Sequence, residues 1–357
     1  MAFMGCIVFL TIIMNGLESA LGGGPPQVPC LFIFGDSLVD SGNNNDLNTS
    51  SKANHPPYGV DFKHGPTGRF TNGKTIMDIV GELLGIEEYI PPFANTSCRD
   101  ITKGVNYASG GAGIREETGK QLGDNISLDK QLLNHKTTIS RIKSLIRNQS
   151  SAQDLLNKCL YAVDIGSNDY MNNYFLPKLY TTSSKYTPQQ YADVLIRQYS
   201  LQLTTLYNYG ARKFALFGLG PSGCTPFELN LYPTNTCVKA VNEAVQLFNG
   251  KLLKLVDDLN KRLPRAKFIY LNVWALQSLD PALIGIQIVN MPCCEVTSST
   301  GLCKNGKQPC PMRLFNLFYD DFHPSETVNI LTATRAYNML VPGDAYPTDI
   351  RHLVQDS

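Results

Sequence analysis

With 357 residues, 43% of them hydrophobic and 17% charged, the chain has enough apolar content to bury a large core and is neither disordered nor fibrous. Its 31 basic and 30 acidic side chains leave a formal charge of +1, which argues against an electrostatic grip on nucleic acid and asks for no charged substrate.

Residues 4–14 form an apolar run well short of the ~20 residues that span a bilayer. With Ala20 and Gly22 as small residues suited to a cleavage site, residues 1–23 read as a signal peptide, with no transmembrane anchor and a single domain over 24–357. The segment ahead of the run lacks Lys and Arg, so a buried N-terminal helix or strand is the alternative. Asn-x-Ser/Thr sequons at Asn48, Asn95, Asn125 and Asn148, each in a polar stretch, agree with a secreted, extracellular glycoprotein. The cysteines beyond Cys6 are too scattered for a zinc site, and no metal is expected. In an oxidising compartment they would close disulfides across loops: Cys224 and Cys237 bracket one, and Cys293, Cys294, Cys303 and Cys310 crowd another. Their odd number leaves a thiol over, for which Cys30 and Cys159, each at an apolar strand, are the candidates.

In chain order, residues 31–34 make an apolar run of buried-strand length that Gly35-Asp36 breaks, so Ser37 stands at the corner. A hydroxyl there lies at the carboxyl end of a sheet, where open α/β folds place ligands; alternatively Asp36 and Ser37 cap a helix. The stretch 43–70, rich in Asn, Pro and Gly, is a long loop expected to shape a pocket together with 170–186. A helix follows from Ile76, with Ile79, Val80, Leu83 and Leu84 at helical spacing and Gly85 as its stop. The second strand, 104–108, leads into Ser109-Gly110-Gly111-Ala112-Gly113. That spacing fits neither phosphate-binding glycine motif, so the segment is a tight turn or a place where the Gly110 amide can approach a substrate oxygen.

A long amphipathic helix covers 126–147, and the third strand, 160–165, runs into Gly166-Ser167-Asn168-Asp169-Tyr170, whose Asn and Asp are ordinary turn formers. Thr187-Pro188-Gln189-Gln190 is a capping box opening a helix to about 209. A fourth strand at 213–217, a core-spaced helix at 238–262 and a fifth strand at 268–271 complete the pattern. Short strands alternating with long helices predict one doubly wound α/β domain, a three-layer sandwich around a mostly parallel five-stranded sheet. Ser37, Gly110 and Asn168 then follow strand ends on one side of it.

A hydroxyl becomes a nucleophile when a base draws off its proton. Of the five histidines, His135 lies in a helix among polar residues, His352 in the tail, and His55 and His64 in the long loop. His323 stands before Pro324, which would open a helix carrying Val328, Leu331 and Leu340. Asp320, three residues earlier, can hold its Nδ1–H and leave Nε2 to face a serine, although Asp321 competes and a simple pair at a helix start is the alternative.

Phe34-Gly35-Asp36-Ser37-Leu38 resembles the nucleophile block of the GDSL lipase/esterase family of SGNH hydrolases. Asn106 to Gly111 resembles its second block, 165–170 its Gly-x-Asn-Asp block, and Asp320-x-x-His323-Pro324 its D-x-x-H-P block, with connecting loops like those of plant members. The resemblance implies a flavodoxin-like fold and a serine esterase or lipase in which Ser37 attacks, His323 is the base and Asp320, not Asp321, orients it. It further implies an oxyanion hole of the Ser37 and Gly110 amides and the Asn168 side chain, a small-molecule or lipid ester as substrate, and no cofactor. An acyltransferase using an alcohol acceptor would keep the same site, and a non-catalytic glycoprotein binding lipid or carbohydrate would keep only the fold. Tyr319 stands where the family usually has Trp, Ser325 where it has Thr, and Glu295 where Gly is common; Tyr319 bears on how the histidine loop packs.

Overall fold

Alternation along the strands decides the layers of the fold. In β1 (Leu31–Gly35), Phe32 and Phe34 join one core and Leu31 and Ile33 the other. Tyr161 and Val163 oppose Leu160 and Ala162 in β3 (Leu160–Asp164), and Phe214 and Leu216 oppose Ala215 and Phe217 in β4 (Lys213–Phe217). Strands buried on both faces need helices on both sides. The computed structural model, which describes residues 25–96, 100–232, 236–278 and 280–355, supplies them. The leader read at 1–23 and Cys98 lie outside the described residues.

Helices α2 (Leu128–Ile146), α3 (Gln149–Lys158), α4 (Pro188–Asn208) and α6 (Lys239–Arg262) cover the aromatic-rich face. The other face is covered by α1 (Ile76–Leu83), α7 (Glu326–Tyr337) and α8 (Ile350–Gln355). The sheet runs β2-β1-β3-β4-β5-β8, with β2 at Gly104–Asn106, β5 at Lys267–Leu271 and β8 at Ala345–Tyr346. Its first five strands are parallel, so the predicted doubly wound sandwich is present. The chain leaves β1 toward β2 and crosses back to β3, so a crevice opens between the carboxyl ends of β1 and β3, where such folds bind ligands.

Several expectations need correction. The sheet has a sixth strand, β8 (Ala345–Tyr346), antiparallel to β5 and too short to leave a periodic trace. A separate pair, β6 (Ile288–Pro292) and β7 (Asn316–Phe318), forms a second small sheet. The last long helix opens at Glu326 behind Ser325, and Leu340 lies exposed beyond its end. His135 is a core residue, packed edge-on against Phe32 and Phe34. Cys30 and Cys159 are no free thiols but a disulfide, because they precede the paired strands β1 and β3, where Leu31 lies opposite Leu160. The loop cysteines pair as Cys224–Cys237, Cys293–Cys310 and Cys294–Cys303.

Candidate active site

Ser37 sits just past β1, at a corner that only glycine allows before it. A Cβ at Gly35 would lie 2.4 Å from the carbonyl oxygen of Asp164 on the neighbouring strand. The Asp36 N–H donates to that same carbonyl and the Asp36 carboxylate accepts from the Leu38 N–H, which fixes the turn on both sides of the serine. Burial, then the neighbouring Asp164, pushes the Asp36 carboxyl well above its ordinary range, and burial pushes Asp164 up to about 7. Two carboxyls this close to each other in a dry place favour holding a proton over carrying two charges.

His323 comes from the loop after β7, and its Nε2 lies 2.7 Å from the Ser37 hydroxyl. Its Nδ1 lies 2.8 and 2.7 Å from the two oxygens of Asp320. Asp320 is fully buried; one of its oxygens also accepts the N–H groups of Phe322 and His323 at 2.8 Å, and the other accepts the Tyr58 hydroxyl at 2.6 Å. With Asp320 accepting at Nδ1, the imidazole keeps its proton there and presents a lone pair at Nε2 to the serine. The Phe70 ring, 4.9 Å from the imidazole ring, closes one side. Asp321 turns elsewhere, its backbone carbonyl accepting from Phe227 and one carboxyl oxygen unpartnered among the described residues; burial pushes it up to about 6.

Asn168 follows β3 in a short turn, Ser167–Asp169. Its carbonyl oxygen accepts from Asn172 at 2.7 Å and its amide nitrogen donates to the Ala112 carbonyl at 2.9 Å, which leaves the second amide hydrogen free beside the cavity. Asp169 anchors the glycine turn opposite by accepting from Ile114 and Arg115 N–H and the Thr118 hydroxyl.

That glycine turn departs from expectation. The Gly110 N–H donates to Asp40 at 3.0 Å, and Asp40 also accepts from Gly42 and Asn43, so the Gly110 amide already has an acceptor within the protein. Gly111 borders the cavity instead, at φ +77, and its N–H has no acceptor among the described residues. Asn43 and Asn44 lace the same turn, donating to the carbonyls of Asn106, Ala108 and Gly110. Sequence reading passed over Asp40, Asn43 and Asn44, although a polar run directly behind the serine was the available signal.

Ser37, Gly111, Asn168 and His323 meet in one cavity of about 840 Å³, which Met171, Leu176, Leu219, Trp274, Phe318 and Phe322 make largely apolar. Of the two loops expected to shape it, 170–186 contributes Met171, Asn172, Leu176 and Leu179, but 43–70 contributes only Ser51. Further lining comes from segments after β4 and β5, from the small second sheet, and from Ile76, Gln121, Leu122 and Val328. His55 and His64 do not border it; they pack against Tyr58 and against Phe62 and Tyr89. His352 pairs with Asp349. No group of side chains suited to a metal ion occurs among the described residues, and no described helix is long and apolar enough to cross a membrane.

A family model for the GDSL-like lipase/acylhydrolases matches residues 31–336. The GDSL esterase/lipase At1g29670 of Arabidopsis thaliana is 49% identical, with 98% of both chains covered. The GDSL esterase/lipase At4g18970 of the same plant is 44% identical over 98% of this chain and 99% of that one. Among solved structures, phospholipase A1 from Streptomyces albidoflavus aligns with a TM-score of 0.31 at 14% identity, covering 85% of this chain and 94% of that one. Fold and family together define a carboxylic ester hydrolase of the α/β class. Within that class, the chain belongs to the GDSL-like lipase/acylhydrolase family.

Proposed function

We propose that this protein is a secreted serine esterase or lipase that hydrolyses lipid or small-molecule esters through an acyl-enzyme on Ser37. The observation that carries the reading is the continuous relay from Asp320 through His323 to Ser37, with bonds of 2.7 to 2.8 Å, opening on an apolar cavity. Ser37 Oγ attacks the ester carbonyl carbon as its proton passes to His323 Nε2, and Asp320 steadies the imidazolium. The tetrahedral oxyanion accepts from the amides of Ser37 and Gly111 and the side-chain amide of Asn168, each worth about 3 kcal/mol in acyl transfer. Gly111 replaces Gly110 in this role because the Gly110 N–H is committed to Asp40. His323 returns its proton to the leaving alcohol as the C–O bond breaks, and water then repeats the sequence on the acyl-enzyme. The apolar lining favours an acyl chain over a charged acyl group.

Secretion through a leader at 1–23, with the mature chain 24–357 as a single domain, is supported by the disulfides, which persist in oxidising compartments. Glycans are proposed at Asn48, Asn95 and Asn148, all exposed. Asn125 is withdrawn: it is buried, and its side-chain nitrogen donates to the carbonyls of Gly111 and Thr118, leaving no room for a sugar.

The test is turnover of p-nitrophenyl esters of graded chain length by the purified protein and by Ser37→Ala. The proposal requires turnover that the variant loses while its circular dichroism is unchanged. A Ser37→Ala protein that hydrolyses at the parent rate would overturn it. Adding a competing alcohol reads out acyl transfer in the same assay.

A further inference from the structure

Behind the acid end of the relay lies a small core separate from both faces of the main sheet. It gathers Tyr58, Phe70, Leu302 and Tyr319 around two adjacent disulfides, Cys294–Cys303 and Cys293–Cys310. Tyr58 is fully enclosed there. Its hydroxyl donates to Asp320 at 2.6 Å and accepts the Cys303 N–H at 3.1 Å, so both its proton and one lone pair have fixed directions. Burial first, then the charge and hydrogen bond of Asp320, push its phenol well above the ordinary tyrosine value, so it stays a donor.

The other donors to the Asp320 carboxylate belong to its own turn, the N–H groups of Phe322 and His323 and the His323 ring. Tyr58 reaches it from 262 residues away in sequence. The support then closes on itself. Cys303 is bonded to Cys294, and the Cys294 N–H donates at 3.0 Å to the carbonyl of Tyr319, the residue before Asp320. The Tyr319 hydroxyl in turn donates to the carbonyl of Pro57, the residue before Tyr58, and the two tyrosine rings meet edge to face at 5.8 Å.

From this closed circuit we infer that Tyr58 is a positioning residue for Asp320 and that the Cys294–Cys303 disulfide holds Tyr58 in register. The inference rests on Asp320 orienting His323. Without the hydroxyl, a buried carboxylate oxygen loses a donor and the carboxylate is free to swivel out of line with the imidazole. Proton transfer from Ser37 suffers while substrate binding does not, because Tyr58 does not border the cavity. Other titratable groups facing the pair are Asp36 beside His323 and Asp321 and Tyr319 beside Asp320, and Tyr58→Phe alters none of them chemically.

The experiment compares full-length parent, Tyr58→Phe, Asp320→Asn and the double variant by kcat, KM and the pH profile of kcat/KM. Groups that orient metal ligands cost about 10- to 100-fold in activity when removed, and a group that orients a catalytic carboxylate is expected to act on the same scale. Tyr58→Phe is expected to lower kcat about tenfold or more with KM within about twofold, and to displace the acid limb of the profile from its parent position. In the Asp320→Asn background the same change is expected to cost almost nothing further, since the group it positions is gone. A Cys294→Ser/Cys303→Ser protein should repeat the kcat loss and the moved limb, whereas Cys30→Ala/Cys159→Ala, at the opposite end of β1 and β3, should show the parent profile. Parent kcat and pH profile in Tyr58→Phe, or equal losses with and without Asp320, overturn the inference. Full activity in Asp320→Asn instead overturns the relay on which it rests, and the two failures are thereby told apart.

Discussion

The proposed nucleophile and the proposed base are held by different kinds of structure. Ser37 and Asn168 follow adjacent parallel strands of the main sheet, and the glycine turn beside them is laced by Asp40, Asn43 and Asn44 through bonds to backbone groups. His323 and Asp320 sit on a loop off the two-stranded accessory sheet, backed by disulfides and two tyrosines. A site of this design has its geometry set twice: once by strand register, which the whole fold maintains, and once by a local clasp that can be loosened separately.

The largest expected effects probe the two ends in turn. Ser37→Ala and His323→Ala should each reduce kcat/KM by about 10⁴-fold or more, and the pair together by little beyond either, because the relay acts as a unit. Asn168→Ala should cost about 10²- to 10³-fold in kcat with KM near the parent value. At the glycine turn, Gly111→Ala places a side chain at φ +77 beside the cavity and should lose activity in stopped assays of the folded protein.

A smaller effect separates core from site by pH. Burial holds His135 down to about 3, so it is neutral in the folded protein, whereas in the unfolded chain it titrates near its ordinary value. As pH falls below about 6.5 the unfolded chain takes up a proton that the native state refuses, and stability drops by up to ~1.4 kcal/mol per unit until about pH 3. His135→Gln removes that slope, so urea titrations should show the variant less stable than the parent at pH 7, by about 1 kcal/mol for a weakened bond to the Tyr107 hydroxyl, and gaining on it steadily toward pH 4. A constant difference at both pH values would contradict the buried neutral imidazole. The smallest effect has the opposite sign. Both oxygens of Glu228, on α5 (Pro226–Leu231), lack partners among the described residues, and burial pushes its carboxyl up to about 7. The native state therefore loses stability as pH rises from about 4.5, where the unfolded carboxyl ionises, to about 7, and carries the full penalty above that, so Glu228→Gln should raise the melting temperature at pH 8 more than at pH 5.

The residues proposed as a triad were legible because the proposed chemistry fixes their types and their short-range spacing: Asp320 must be placed to reach the far nitrogen of His323, and the serine must stand free at a strand end. The parallel sheet was legible from strand and helix periods. What stayed hidden depends on conformation that residue types do not encode. Two consecutive glycines differ only in where their N–H vectors point, so Gly110 and Gly111 could not be told apart before Asp40 was seen to claim the first. Asn125 carries a valid sequon in a polar stretch, yet a buried turn uses its amide. Cys30 and Cys159 are far apart in sequence and become neighbours only through the pairing of β1 with β3. Tyr58 is one aromatic residue in a Pro- and Gly-rich loop, and its role appears only with the Cys303 amide and Asp320 on either side of it.

Acyl-enzyme chemistry requires Ser37 Oγ to be the atom acylated during turnover. Rapid acid quenching of the protein with a p-nitrophenyl ester, followed by mass spectrometry of the peptides, tests it directly. One acyl group per chain is expected on the peptide containing Ser37, and none in Ser37→Ala. Steady turnover with the acyl group on another residue, or with Ser37→Ala equally active, would contradict it.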